Sequence, residues 1–417
     1  MKVYKFGGAS LGSVDRIKQV GSILRQEQQT MVVVISAMGK TTNALEKVAD
    51  AFYNGNQQDA LNLFNLIKES HITTAKYLLV KTYNKTLDEL ESLFTEVEWL
   101  LHDKPVKEYD YYYDQVVCIG ELLSSVIVNA YLQETGLNAQ WLDVRDIIRT
   151  DDHFRDAQVD FEFTRDRLTP LLINASPTFY VTQGFIGSTD ENESTTLGRE
   201  GSDYSAAIFA NLLGADNLTI WKDVEGVMNA DPNKFTDAVL LPELSYAEVI
   251  EMSYYGAQVI HPKTIKPLQN KGIPLLVKSF INPALPGTVI SKKNVKGLPP
   301  VKVIKENQVL LHLTSLDYSF VGEAPMIFLY NLFAELGLKP NLIQTGAIGV
   351  QVCMDDKPGK LDQVAVSASG VFDVQIEKGL SLYTVRHYAN GGVNGVLEGR
   401  QVLLLQQTVD TVQYVYR

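Results

Sequence analysis

"KVYKFGGASLGSVDRIKQVGSILRQEQQTMVVVIS", residues 2–36, decides the fold. "KVYKF" and "MVVVIS" read as short strands, and the second is so apolar that it belongs in a parallel sheet buried on both faces. Between them Val14, Ile17, Val20 and Leu24 share one stripe of a helix. Strand, helix and strand form a βαβ unit. The alternation continues outward: helical spacing dominates from Thr42 to Leu101, and one further helix is predicted through "YYYDQVVCIGELLSSVIVNAYLQ". Strands return at "TFYVT", "NLTIW" and "PLLVKSF", with a helix from Ser202 to Leu213. This order predicts an α/β sandwich around a mainly parallel sheet. At "ISKKNVKGLPPVK" lysines, glycine and prolines follow one another without periodicity, as in a linker. A domain boundary is therefore drawn at about residue 298, between regions 1–297 and 298–417, the second β-rich.

Composition narrows the function classes. The formal net charge of −12, without a block of consecutive Lys or Arg, argues against nucleic acid or an acidic membrane face as partner and favours a small molecule. Two cysteines, Cys118 and Cys353, are too few for a disulfide framework or a four-ligand zinc site. "MKVYKFGG" lacks a signal-peptide core, and no apolar run approaches the roughly 20 residues that span a bilayer. The expectation is a cytoplasmic protein.

Glycine-rich turns carry the chemistry. "KFGGAS" puts Lys5 at a strand end with Gly7 and Gly8 turning toward a helix, a layout that cradles phosphate. "TTLGREGSDYSAA", Thr195 to Ala207, sets Arg199, Glu200 and Asp203 among Gly198 and Gly201 before a run of small helix formers. Free N–H groups at such a helix start favour an anion. The plain alternative is a strand-to-helix turn capped by Ser202 or Asp203. Neither a Walker A motif nor a dinucleotide fingerprint is present. "ISAMGKTTN" after the second strand and "GELLSS" within a helix complete the set, at strand carboxyl ends and adjoining loops where open α/β sheets bind ligands.

These motifs, in this order and joined by "TIWKDVEGVMNADP" and "YYGAQVIHPKTI", resemble the aspartate kinases of the amino-acid kinase family over about the first 290 residues. The resemblance implies that family's three-layer sandwich, ATP with Mg²⁺, and conversion of L-aspartate to 4-phospho-L-aspartate, the step toward lysine, methionine and threonine. It implies that Lys5 stabilises the transferring phosphoryl group and that Asp203 organises the site, without a metal ligand being assigned. Arg199 matches the position that takes the substrate α-carboxylate, Glu121 the position that takes its α-ammonium, and Ser36 and Thr42 matching hydroxyl positions. Chemistry agrees: guanidinium binds carboxylate bidentately, and a substrate carboxylate of pKa about 4 needs no general base.

The nucleotide is implied to lie along Lys5, Gly7, Gly8, Lys222, Asp223, Met228, Asp231 and Asn233, although "ADPN" also reads as turn chemistry. Several positions depart from the family. Ala9 replaces a commoner Thr, Met228 a Tyr, Asn233 an Arg, and Glu200 a Gly whose replacement puts a carboxylate where it would repel polyphosphate. Gln258 stands where many relatives carry a phosphate-contacting lysine, leaving Lys263 or Lys222 to take over. The departures keep two alternatives open: a non-catalytic amino-acid or nucleotide sensor, and a kinase for another small acid such as glutamate. His261 reads as a structural turn residue, and the Tyr109–Tyr113 run as helix packing.

Residues 298–417 resemble paired ACT regulatory modules, βαββαβ units binding amino-acid effectors at shared interfaces, which implies a homodimer or higher homo-oligomer. The second module has "NGGVNGVLEGR" where a helix is expected. In lysine-sensitive relatives an acidic residue holds the effector; here Asn341 stands in its place, with Gly346 and Ala347 nearby. The loss of that counter-charge predicts weak or absent inhibition by lysine.

Overall fold

A computed structural model describes residues 1–173, 179–257, 260–390 and 395–417. The chain folds into two compact units. The first comprises Met1–Val227, Leu240–Ile250 and Ile260–Asn294; the second comprises Met228–Val239, Glu251–Val259 and Val295–Arg417. The second unit thus takes in two segments that a single cut near 298 assigns to the N-terminal region.

In the first unit the strands are β1 (Lys2–Phe6), β2 (Met31–Ile35), β3 (Ala139–Trp141), β4 (Phe179–Gln183), β5 (Ile186–Ser188), β6 (Ser194–Thr196), β7 (Asn217–Lys222), β8 (Glu243–Ser245), β9 (Leu275–Ser279) and β10 (Thr288–Ser291). Eight of them form one sheet in the order β3-β4-β2-β1-β7-β9-β10-β8, while β5 and β6 pair separately. Every neighbouring pair in the large sheet is parallel except β9–β10. The βαβ unit reads as the sequence predicts. β1 lies between β2 and β7, and all five residues of β2 are buried.

The helices are α1 (Val14–Leu24), α2 (Thr41–Tyr53), α3 (Gln57–Leu78), α4 (Tyr83–His102), α5 (Tyr109–Val117), α6 (Ile119–Glu134), α7 (Phe161–Ile173), α8 (Gly201–Leu213), α9 (Tyr246–Tyr254) and α10 (Pro262–Lys271). α6 packs on β2, β3 and β4; α8 packs on β1, β2 and β7. The single helix expected over the tyrosine run is two abutting helices, α5 and α6, meeting at Cys118. Together, Tyr109–Glu134 are long and apolar enough to cross a membrane, contrary to the expectation that no stretch would be. That apolarity is core packing, since most of the stretch is buried inside the protein. The tyrosines pack edge to face, Tyr112 on Phe52 and Tyr109 on Tyr53.

The second unit contains β11 (Val301–Ser315), α11 (Glu323–Glu335), β12 (Pro340–Thr345), β13 (Gly349–Asp355), α12 (Lys360–Ala368) and β14 (Phe372–Arg386), one complete βαββαβ module. β15 (Val402–Gln407) and β16 (Thr411–Tyr416) extend its sheet to β12-β13-β11-β14-β16-β15. Leu329, Phe333, Leu361 and Val364 of the two helices form one core with Val309, Leu311 and Val352 of the sheet. The added hairpin is covered differently: Ala230 and Phe235 cluster with Tyr383, Val385, Val412 and Tyr416. Phe235 stacks on Tyr383 with centroids 6.2 Å apart. The segment 228–239 therefore covers apolar side chains of the added strands. Part of "NGGVNGVLEGR", residues 391–394, lies outside the described residues.

Candidate active site

Because β2, β1 and β7 are adjacent and parallel, their carboxyl ends share one edge of the sheet. Lys5 stands near the end of β1, Ser36 directly after β2, and Lys222 at the end of β7. Asp203, in the first turn of α8, meets both lysines: its Oδ1 lies 2.6 Å from Lys5 Nζ and its Oδ2 lies 3.6 Å from Lys222 Nζ. Burial raises the pKa of this carboxyl, but the two ammonium groups outweigh burial and hold it below the ordinary value. Two lysines on one carboxylate leave one net positive charge, which suits an anion. Asp203 is not the helix cap; Glu200 holds that position.

The loops fit tightly. A Cβ on Gly8 would lie 2.8 Å from Ala37 O and 2.9 Å from Gly39 O, so glycine there lets the loops after β1 and β2 touch. Gly39 N–H donates to Gly8 O at 2.9 Å. Around Gly7 a Cβ would meet only Lys5 Nζ, at an ordinary 3.5 Å.

Glu121 opens α6 and is 3% exposed. Its Oε1 accepts the Ala37 N–H at 3.3 Å, and its Oε2 has no hydrogen-bond partner among the described residues. Burial pushes its carboxyl up to about 8, partly opposed by the Ala37 N–H and by the Lys5 charge. Ser36 Oγ is likewise buried without a partner, while Ser124 Oγ donates to Ser36 O at 2.6 Å and fixes its backbone. A buried acceptor and a buried hydroxyl with open valences stand ready for a polar ligand. Thr42 is the second residue of α2 and half-buried.

Arg199 is exposed on the turn between β6 and α8, with no ion pair among the described residues. Gly198 precedes it at φ +75°, and a Cβ there would stand 2.6 Å from Asp156 Oδ1. Lys263 pairs with Asp156 and donates to Leu197 O at 3.3 Å, so it braces this turn. Of Lys222 and Lys263, Lys222 is the one that reaches Asp203. Gln258 itself lies outside the described residues. His261 caps α10, its Nδ1 accepting Lys263 N–H at 3.2 Å. Burial lowers its pKa, consistent with a neutral ring whose proton sits on Nε2.

Asp223 is engaged by a residue the motif reading passed over. Arg16 Nη1 lies 2.9 Å from both oxygens of Asp223 and also donates to Ala9 O at 2.7 Å. It ties the glycine-rich loop to the end of β7, a link across 207 residues that no local pattern announces. Met228, Asp231 and Asn233 fall in the second compact unit. Asp231 Oδ1 accepts from Asn233 N at 2.9 Å and from its Nδ2 at 3.0 Å, the turn chemistry that "ADPN" suggests. A second overlooked residue is Asp114 of α5, fully buried. It accepts from Thr196 N and Oγ1, each at 2.7 Å, and from Arg155 N at 3.0 Å. A charged residue inside the apolar helical run "YYYDQVV" is its sequence signal. No group of three or more His, Cys, Asp or Glu suited to a metal occurs among the described residues.

Residues 1–279 match the model of the amino acid kinase family. The lysine-sensitive aspartokinase 3 of Escherichia coli is 30% identical over 91% of this chain and 85% of its own length. Aspartokinase 1 of Arabidopsis thaliana, a chloroplast protein, is 33% identical over 86% of this chain, which spans 64% of that relative. Among solved structures, E. coli aspartokinase III in complex with aspartate and ADP superposes with a TM-score of 0.84, covering 100% of this chain and 96% of that one at 28% identity. The same enzyme with lysine and aspartate gives 0.81 at 28% identity, covering 100% and 95%.

Proposed function

This chain belongs to the amino acid kinase family, within its aspartokinases, and from that membership we infer that it is an ATP-dependent aspartate kinase. The observation that carries the chemistry is the Lys5–Asp203–Lys222 group at the shared edge of β2, β1 and β7. A carboxylate oxygen of aspartate attacks the γ-phosphorus of ATP, the bond to the ADP oxygen breaks, and 4-phospho-L-aspartate leaves with ADP. The attacking carboxylate is already ionised at neutral pH, so no residue need remove a proton. Charge gathers on the phosphoryl oxygens in the transition state, and phosphoryl transfer rests on positioning and on fixed charge.

In this reading Lys5 meets that charge, Asp203 orients Lys5, and Lys222 stands by the nucleotide phosphates. Arg199 takes the α-carboxylate of aspartate and Glu121 its α-ammonium; among the described residues Glu121 Oε2 has no hydrogen-bond partner and Arg199 no ion pair, which supports both roles. Ser36 and Thr42 add hydroxyl contacts. Mg²⁺ is expected to arrive with the nucleotide phosphates and to neutralise part of their charge.

For regulation we propose weak or absent inhibition by lysine. Asn341 already has its partners: Lys305 Nζ donates to its Oδ1 at 2.7 Å, and its Nδ2 donates to Gln308 Oε1 at 2.7 Å and to Asp355 Oδ1 at 2.9 Å. An internal ammonium thus sits on the side chain that would have to receive an external one. Assembly as a homodimer through the ACT-like module is the accompanying expectation.

The test of the reaction incubates the protein with ATP, Mg²⁺ and hydroxylamine, comparing L-aspartate with L-glutamate. ADP together with hydroxamate from aspartate alone is expected. Bound ligands without either product would favour a sensor, and hydroxamate from glutamate would redirect the substrate assignment.

A further inference from the structure

Glu200 occupies a backbone conformation that suits glycine. Its φ is +55° and ψ +27°, and it holds the N-cap of α8. A non-glycine residue in this left-handed region is strained and persists where surrounding contacts hold it. One such contact is clear. Glu200 Oε2 accepts the backbone N–H of His261 at 2.9 Å, across 61 residues of chain.

His261 heads α10, so the carboxylate rests at the start of a ten-residue helix, where the helix dipole favours negative charge. Its charge is directed to that N–H, which answers the electrostatic objection that a carboxylate here would face polyphosphate. The same helix grips the turn a second time through Lys263, which reaches Leu197 O and Asp156. Gly198 lies close against Asp156 as well. Leu197, Gly198 and Glu200 are thus each held, while Arg199 between them is exposed and unpaired among the described residues.

We propose that Glu200 is a positioning residue: its carboxylate latches the Gly198–Gly201 turn to the head of α10 and thereby fixes the direction in which Arg199 meets the α-carboxylate of the substrate. The proposal rests on the aspartate reading above. The latch needs an acceptor at this place and not a negative charge, which distinguishes it from a purely electrostatic effect on ATP. It also differs from a stability role, because glycine would relax the backbone and still lose the latch.

The experiment compares Glu200→Gln, Glu200→Ala and Glu200→Gly with the parent protein, measuring kcat, KM for aspartate and for ATP, aspartate Kd by calorimetry, and Tm. Gln keeps an amide oxygen as acceptor and is expected to stay within about threefold of the parent in aspartate KM and Kd. Ala and Gly are expected to raise both by about tenfold, the loss of one hydrogen bond, with kcat and ATP KM within about twofold. Gly is further expected to melt above Ala while binding aspartate as weakly.

Unchanged aspartate Kd in Ala and Gly would overturn the latch, as would Gln behaving like Ala, or a fall in ATP KM as the main effect of Gln. Aspartate binding that follows Tm, recovering in Gly, would overturn it in favour of a structural role. Failure of the parent protein to bind aspartate would instead remove the substrate reading, and the latch with it. Calorimetry separates these cases without needing turnover.

Discussion

At the scale of single residues, two roles make opposite kinetic demands. In the proposed reading Lys5→Ala removes a charge whose use is greatest in the transition state, so kcat is expected to fall by about 10²–10³ with little change in aspartate KM. In the same proposed reading Arg199→Ala removes binding to a part of the substrate that does not react, so aspartate KM should rise by about tenfold or more at similar kcat. Steady-state kinetics with each substrate varied in turn checks both. Glu121 adds a pH dependence. Its carboxyl is raised to about 8 in the free protein, so below that pH it carries a proton that must leave before it can pair with an ammonium. Aspartate KM should therefore fall as pH rises, by up to about tenfold per unit, and level off above about pH 8. Asp203, held low by its lysines, stays ionised throughout this window. A flat KM between pH 6.5 and 8.5 would show that Glu121 is ionised in the free protein, and Glu121→Gln should make the profile flat at a higher KM.

At the scale of elements, the turn that carries Arg199 depends on the helix that carries Asp114. Asp114 joins α5 to β6 through Thr196 N and Oγ1, beside the two hydrogen bonds of Gln115 to the Ser194 backbone, and it also accepts from Arg155 N. Asp114→Ala strands two backbone N–H groups and a hydroxyl, and is expected to cost about 2–4 kcal/mol in denaturant unfolding. Burial raises its folded pKa to about 6 from an ordinary 3.8. The folded state therefore binds the extra proton between those values, and the contribution of this group to stability declines as pH rises from about 4 to 6. Asp114→Asn, which cannot titrate, should remove that part of the pH dependence. Helical spacing predicted α1 to α4 well because their apolar stripes repeat locally. It ran α5 and α6 together because nearly every residue across the junction is buried, polar ones included, so no exposed face marks the break.

At the scale of the molecule, the chain is two compact units, and in the ACT-like one Lys305 donates to Asn341, the side chain proposed above to stand at an effector position. Millimolar lysine is expected to change aspartate kinase activity by less than about twofold, measured at subsaturating aspartate. Strong inhibition would mean that the Lys305–Asn341 contact yields to an external ammonium. Restoring the acid by Asn341→Asp tests the same point from the other side: if the missing counter-charge is what matters, lysine sensitivity should rise.

Strand and helix alternation, the glycine turns and the types of residue at strand ends were legible in the amino-acid order. Periodicity and turn chemistry are local properties, and a parallel sheet brings its strand ends together wherever the intervening helices run. Packing alone decided which charges meet there. Lys222 and Lys263 look equivalent along the chain, yet one reaches Asp203 and the other Asp156. Arg16 finds Asp223 and Glu200 finds His261 across long separations. Residues 228–239 pack with strands that come far later in the chain. Such pairings follow from where side chains project after the layers have stacked, and a one-dimensional pattern carries no record of that.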